Sequence, residues 1–262
     1  MKKFMLATSL ILSTSAIAHE DHGIQISSDQ CQVDFQNDVR ITPNQLQITA
    51  ENNKQLTIDS YGELYVDGQA ITLTYDQKEA LANYADSLRV QLPQVANIAL
   101  DGVKLAGVAL DEVAQAFNLQ GLESLNGLMD ELHVEISDTF YQQGAFVMGE
   151  KTFHEFGENF ENHFETHIEE AVESAMMESI GSILMMVGSE MVSSGGDMES
   201  FEARMENMGK EIEEKVQLQA KQIEEQANGL CDKFEGIAHA ETDLVAQIPA
   251  MNGYQLFNFK SK

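Results

Sequence analysis

Between Gln30 and Thr74 the apolar residues fall on every second position. Val39-Arg40-Ile41-Thr42, Leu46-Gln47-Ile48-Thr49 and Leu56-Thr57-Ile58-Asp59 alternate, followed by Leu64-Tyr65-Val66 and Ile71-Thr72-Leu73. Alternation of period two is the mark of strands with one face buried. The runs are separated by turn-forming residues: Pro43-Asn44, Ser60-Tyr61-Gly62 and Asp67-Gly68. Asp-Gly between alternating runs favours a tight hairpin. The pattern predicts an antiparallel β-meander of four or five short strands over residues 30–74.

At Thr74 the period changes. Thr74 is placed as an N-cap, with Gln77 three residues on to complete a capping box. Leu81, Tyr84, Ala85, Leu88 and Leu92 then recur by threes and fours, as on one face of a helix, and Pro93 is expected to end or kink it. Residues 95–117 and 128–142 continue as helix, and Gly144–Gly149 reads as a short strand. From Glu150 to Ser193 a long helical run carries Phe153, Phe156, Phe160, Phe164, Ile168, Val172, Met176 and Ile180. Gly195-Gly196 breaks it, and a second long helix runs from Met198 to about Phe234. The two make a long antiparallel helical hairpin. The expected fold class is therefore α+β: a small N-terminal antiparallel sheet followed by a mostly helical body. Its parts are a leader (1–18), a flexible arm (19–29), the meander (30–74), a helical region (75–149), the hairpin (150–235) and a tail (236–262).

The leader changes the picture of where the chain works. Met1-Lys2-Lys3 is followed by the uncharged, mostly apolar stretch Phe4–Ala18, which ends in Ala16-Ile17-Ala18. This is the charge, apolar segment and small-residue site of a cleavable signal peptide. The stretch is too short to span a bilayer, which takes roughly 20 apolar residues. Cleavage after Ala18 and a periplasmic destination are expected, with no membrane insertion afterwards. The formal charge of −28 excludes nucleic acid as a partner, because contacts to phosphates need Lys and Arg. Divalent metals and cationic proteins are compatible with that charge.

Two cysteines, Cys31 and Cys231, in an exported chain suggest one disulfide, which would staple the first strand of the meander to the end of the second long helix. Two buried thiols or an intermolecular pair are the alternatives. No catalytic signature is present: there is no Gly-x-Ser-x-Gly, His-Glu-x-x-His or phosphate-binding loop. The best metal candidate is His163, His167 and Glu170, whose spacing of four and three puts them on one helical face. A helical wheel also sets His167 among Phe156, Phe160 and Phe164, which makes it a half-buried core histidine rather than a ligand. His19 and His22, beside the new amino terminus, form a second candidate. Met176-Met177 and Met185-Met186 suit a soft metal, but methionine also fills cores; Met176 falls on the apolar stripe.

Gly62, Gly68, Leu73, Gln77, Tyr84, Leu88-Arg89 and Leu92-Pro93 resemble the corresponding stretch of the YggN-like bacterial proteins, most closely over residues 30–95. That family is of unknown function and generally exported. The resemblance implies export and paired cysteines, and it implies no catalytic residue or cofactor. The tail and the extreme acidity depart from the family pattern, so nothing carries over to residues 236–262. The expected function is that of a periplasmic, non-enzymatic interaction or structural protein with a protein partner. A periplasmic metal-binding protein is the alternative.

Overall fold

The computed structural model describes residues 24–28, 31–50, 52–117, 123–160, 164, 166–193 and 198–258. The fold is α+β, with antiparallel sheets leading into a mostly helical body. The meander is made of β3 (Asp38–Ile41), β4 (Gln45–Thr49), β5 (Gln55–Asp59), β6 (Leu64–Val66) and β7 (Gln69–Ile71). Each pairs antiparallel with the next. Alternation decides the buried face: Val39, Ile41, Leu46, Ile48, Leu56, Ile58 and Leu64 all point into the core. Asp67 and Gly68 both take positive φ, 48° and 79°, between the paired residues Val66 and Gln69. That is the two-residue turn whose twist matches a hairpin. Gln143 and Gly144 repeat the device between β8 (Tyr141–Gln142) and β9 (Ala145–Met148), and β9 pairs with β3.

Two departures from the sequence expectation extend the sheets. Residues 24–28, inside the stretch read as a flexible arm, form β1 (Ile24–Ser28), which pairs with β2 (Cys31–Phe35). The polar His19–His22 run masked the short alternation of Ile24 and Ile26. At the other end, β10 (Phe257–Asn258) pairs with β2, so the tail closes a three-stranded sheet.

The helices are α1 (Tyr75–Phe117), α2 (Glu123–Phe140), α3 (Glu150–Asn159), α4 (Thr166–Ser193) and α5 (Met198–Gln247). The capping box forms: Gln77 N–H donates to Thr74 Oγ1 at 3.3 Å, and Thr74 N–H to Gln77 Oε1 at 2.9 Å. α1 continues through Pro93. Along the run from Glu150, α3 ends at Asn159, Phe160 and Phe164 have π-helical hydrogen bonding, and α4 begins at Thr166. α5 continues past Phe234 because its apolar stripe does: Phe234, Ile237, Leu244 and Ile248 are all buried.

The long partner of α5 is α1. Gln77 Nε2 donates to the Gln247 carbonyl at 3.0 Å, and Lys215 Nζ reaches Glu112 Oε2 at 2.6 Å, so the two helices run antiparallel over most of their length. α4 and α5, the consecutive arms of the helical hairpin, touch far less. The main core lies where the sheets meet α1 and α5. Phe35 of β2, Phe234 of α5 and Phe257 of β10 pack together, with centroids 5.2–5.8 Å apart. A smaller cluster joins Leu125 and Leu128 of α2 to Phe164, Ala171 and Ala175.

Candidate functional site

Five residues stand out in the sequence as metal ligands. His19, His22 and His163 lie outside the described residues. His167 and Glu170 sit in the first two turns of α4, and both are exposed. The expected half-buried setting of His167 is thus corrected. His167 falls in line, at a spacing of four, with the buried Ala171, Ala175 and Ser179, yet at the start of α4 that line is open to solvent. Among the described residues no group of three His, Cys, Asp or Glu side chains is arranged to hold a metal ion. Cys31 opens β2, and Cys231 is buried on α5, the helix against which β2 packs.

Three features outside those expectations have defined geometry. The first is Glu241, only 2 % exposed in α5. Its Oε1 accepts hydrogen bonds from the Tyr84 hydroxyl and from Leu256 N–H at 2.8 Å, and its Oε2 accepts one from Phe257 N–H at 3.1 Å. One carboxylate therefore ties α1, α5 and the start of β10 together. Burial pushes the Glu241 carboxyl up to about 6, against the opposing pull of the three hydrogen bonds. The Tyr84 hydroxyl is held well above its ordinary value by burial and by the Glu241 charge, so it remains a donor. Glu241 falls in the stretch read as tail. Its signal is its place on the stripe Phe234, Ile237, Glu241, Leu244, Ile248, where an acid at a core position calls for donors.

The second feature is an open groove of about 780 Å³ between α1, α2 and α5. Its lining mixes apolar Ile98 and Leu230 with Lys104, His133, Lys233 and Glu225. Its mixed lining suits a polar chain segment.

The third is the outer face of α4. The residues that pack inward are small: Ala171, Ala175 and Ser179, spaced by four. Several large apolar side chains point outward instead, among them Met176, Met177 (69 % exposed), Ile180, Leu184 (67 %) and Met185. Met176, expected on the packed stripe, is exposed. The sequence pattern follows the large residues, Ile168, Val172, Met176 and Ile180, whereas the buried positions of α4, among the described residues, are Ala171, Ala175 and Ser179. Residues 166–189 have a mean hydropathy of 1.2, and only 19 % of the apolar window is buried. Burying apolar side chains is worth roughly 1.5–3 kcal/mol each, so this face has unrealised association energy.

A family model described as "Protein of unknown function (DUF2884)" matches residues 31–257. The chain is also 32 % identical over 113 residues to proteins called "Uncharacterized protein YggN" from Escherichia coli strain K12, strain CFT073 and serotype O157:H7. That match covers 43 % of this chain and 44 % of each relative, so it spans less than half their length. No solved structure matches.

Proposed function

Because the chain belongs to the DUF2884 family of proteins of unknown function, we propose that it is an exported interaction protein without enzymatic activity, which engages a protein partner through the outer face of α4. The observation that carries this reading is the inverted burial of α4, with Ala171, Ala175 and Ser179 inside and Met177, Ile180 and Leu184 outside. Contiguous exposed apolar surface on a folded chain marks an interaction site. A photo-crosslinking amino acid at Leu184 should give a discrete protein adduct in living cells, whereas the same probe at the exposed polar Gln217 should not. Equal labelling from both positions, or none from either, would count against the reading.

Export belongs to the same proposal. The Lys2-Lys3 start, the apolar Phe4–Ala18 and the Ala16-Ile17-Ala18 site support cleavage and a periplasmic location. Intact-mass measurement of the periplasmic fraction should return a chain beginning at His19. A mature species retaining Met1 would refute it.

A Cys31–Cys231 staple completes the proposal. β2 packs against α5, Cys231 is buried there, and Phe234, one turn on, meets Phe35 of β2 edge-on. The staple would fix a three-stranded sheet to the long helix in an oxidising compartment. Cys231→Ser is expected to cost about 2–3 kcal/mol, within the range for loss of a native bridge. Two titratable thiols in protein taken directly from the periplasm, or a disulfide-linked dimer, would refute the pairing.

A further inference from the structure

We propose that the outer face of α4 binds a cationic amphipathic helix, an inference that rests on the interaction reading above and adds the chemistry of the partner. Three kinds of occupant could cover an apolar helix face: lipid, a second copy of this chain, or another protein. The charge pattern around α4 separates them. Between Lys151 and Arg204 the sequence has no Lys or Arg, but twelve Asp and Glu. Glu169, Glu170 and Glu173 are exposed in the first turns of α4, and Glu178 is exposed within its apolar stretch.

By length and hydropathy alone residues 166–189 could cross a bilayer. That stretch, however, contains no Trp, Tyr, Lys or Arg, the residues that anchor helix ends at a membrane surface. Glu173 and Glu178 would both lie inside the span, and acidic residues there are expensive. A second copy is disfavoured for a different reason. In a parallel pairing, α4 against α4 sets Glu against Glu, and in either orientation the two chains, each with a formal charge of −28, repel. A helix whose apolar face is edged by Lys or Arg answers both demands. Its apolar side chains cover Met176, Met177, Ile180, Leu184 and Met185, while its cations meet Glu169, Glu170 and Glu173 at the N-terminal end of α4 and Glu178 beside the apolar residues. One exposed ion pair of this kind adds little affinity, but several along a helix add together, and they raise association rates and reject acidic partners. The apolar stretch from Val172 to Val192 is about 30 Å long at 1.5 Å per residue, so it accommodates a partner helix of about 18–20 residues.

The test uses the full mature chain and three synthetic peptides of about 18 residues: an amphipathic Leu/Lys helix, the same helix with Gln for Lys, and a scrambled Leu/Lys peptide of equal charge. The Leu/Lys helix should bind saturably, at least tenfold tighter than either control, and should weaken as salt screens the charges. Met177→Gln with Leu184→Gln leaves the net charge unchanged and alters only exposed side chains. It should cost tenfold or more. Binding of the scrambled peptide with equal strength, or an unaffected double variant, would reduce the result to unspecific attraction by an acidic protein and overturn the proposal. Equal binding of the Gln helix would keep the interaction surface and overturn the cationic partner. Sedimentation showing a dimer that the double variant abolishes would assign the face to a second copy. Flotation with phosphatidylcholine vesicles would assign it to lipid. Failure of all these, with no crosslink from Leu184, would remove the interaction surface itself.

Discussion

Glu241→Ala is expected to destabilise the protein by about 3–5 kcal/mol, the largest loss from any single substitution considered. The substitution removes one carboxylate and leaves three donors without an acceptor: the Tyr84 hydroxyl, Leu256 N–H and Phe257 N–H. Tyr84, Leu256 and Phe257 are all buried, so water does not reach those donors. A buried donor left unsatisfied costs about 1–3 kcal/mol. Removing a carboxylate that burial holds up at about 6 recovers part of this, about 2 kcal/mol at neutral pH. The donors win because there are three of them. Urea denaturation measures the loss, with Glu235→Ala on the exposed side of α5 as a control expected to stay within about 0.5 kcal/mol. A loss below about 1 kcal/mol for Glu241→Ala would show that the clasp contributes little.

The same carboxyl gives the stability a pH dependence of definite sign. Its value rises from 4.5 to about 6 on folding, so the native state holds the proton where the unfolded chain has lost it. The contribution is fully present below about 4.5 and is lost as pH rises through about 6. The wild type should therefore lose about 2 kcal/mol across this window that Glu241→Gln does not lose. Other carboxylates titrate in both proteins, so the difference between the two curves isolates Glu241. Parallel curves would contradict the assignment.

Local structure was legible where one or two residues dictate the backbone. The Thr74–Gln77 capping box and the Asp67-Gly68 hairpin each form as the sequence indicates, because their hydrogen bonds and φ angles are set by near neighbours. The strand faces were legible for the same reason. Long-range pairing was less so. The sequence offers α4 and α5 as successive helices, but α5 places its stripe from Leu230 to Ile248 against α1 and β2. Nothing in either helix's own periodicity names its partner. The face of α4 is misleading in the sequence because alanine and serine carry weak hydropathy, so the large outward residues dominate the pattern. Glu241 is hidden by number: among 43 acidic residues, only its place between Ile237 and Leu244 on the buried stripe sets it apart.

Gly62→Ala should cost about 3–4 kcal/mol, second only to loss of the Glu241 clasp, and a second glycine shows why. Gly62 lies in the turn between β5 and β6, where Asp59 Oδ1 accepts Tyr61 N–H at 2.8 Å and Glu63 N–H at 2.9 Å. Its φ is +76°, a left-handed conformation that costs an L-residue about 1–2 kcal/mol. A Cβ at this position would also stand 2.0 Å from the Lys78 carbonyl oxygen in the first turn of α1. That obstacle is backbone, and α1 is held in place by Leu81, Ala85 and Leu88 in the core and by the Lys78–Glu63 ion pair. The sheet and the helix must separate to admit one methyl group, and overpacking of this kind costs about 1–3 kcal/mol more. Gly68 has nearly the same φ, +79°, but nothing lies within 4 Å of its Cβ position. Gly68→Ala should therefore lose only the conformational part, about 1–2 kcal/mol. Chemical denaturation of the two variants separates backbone strain from the contact between turn and helix. Equal losses would mean that the turn does not bear on α1, whereas the larger loss at Gly62 measures how tightly the meander is seated on the helix that carries Tyr84.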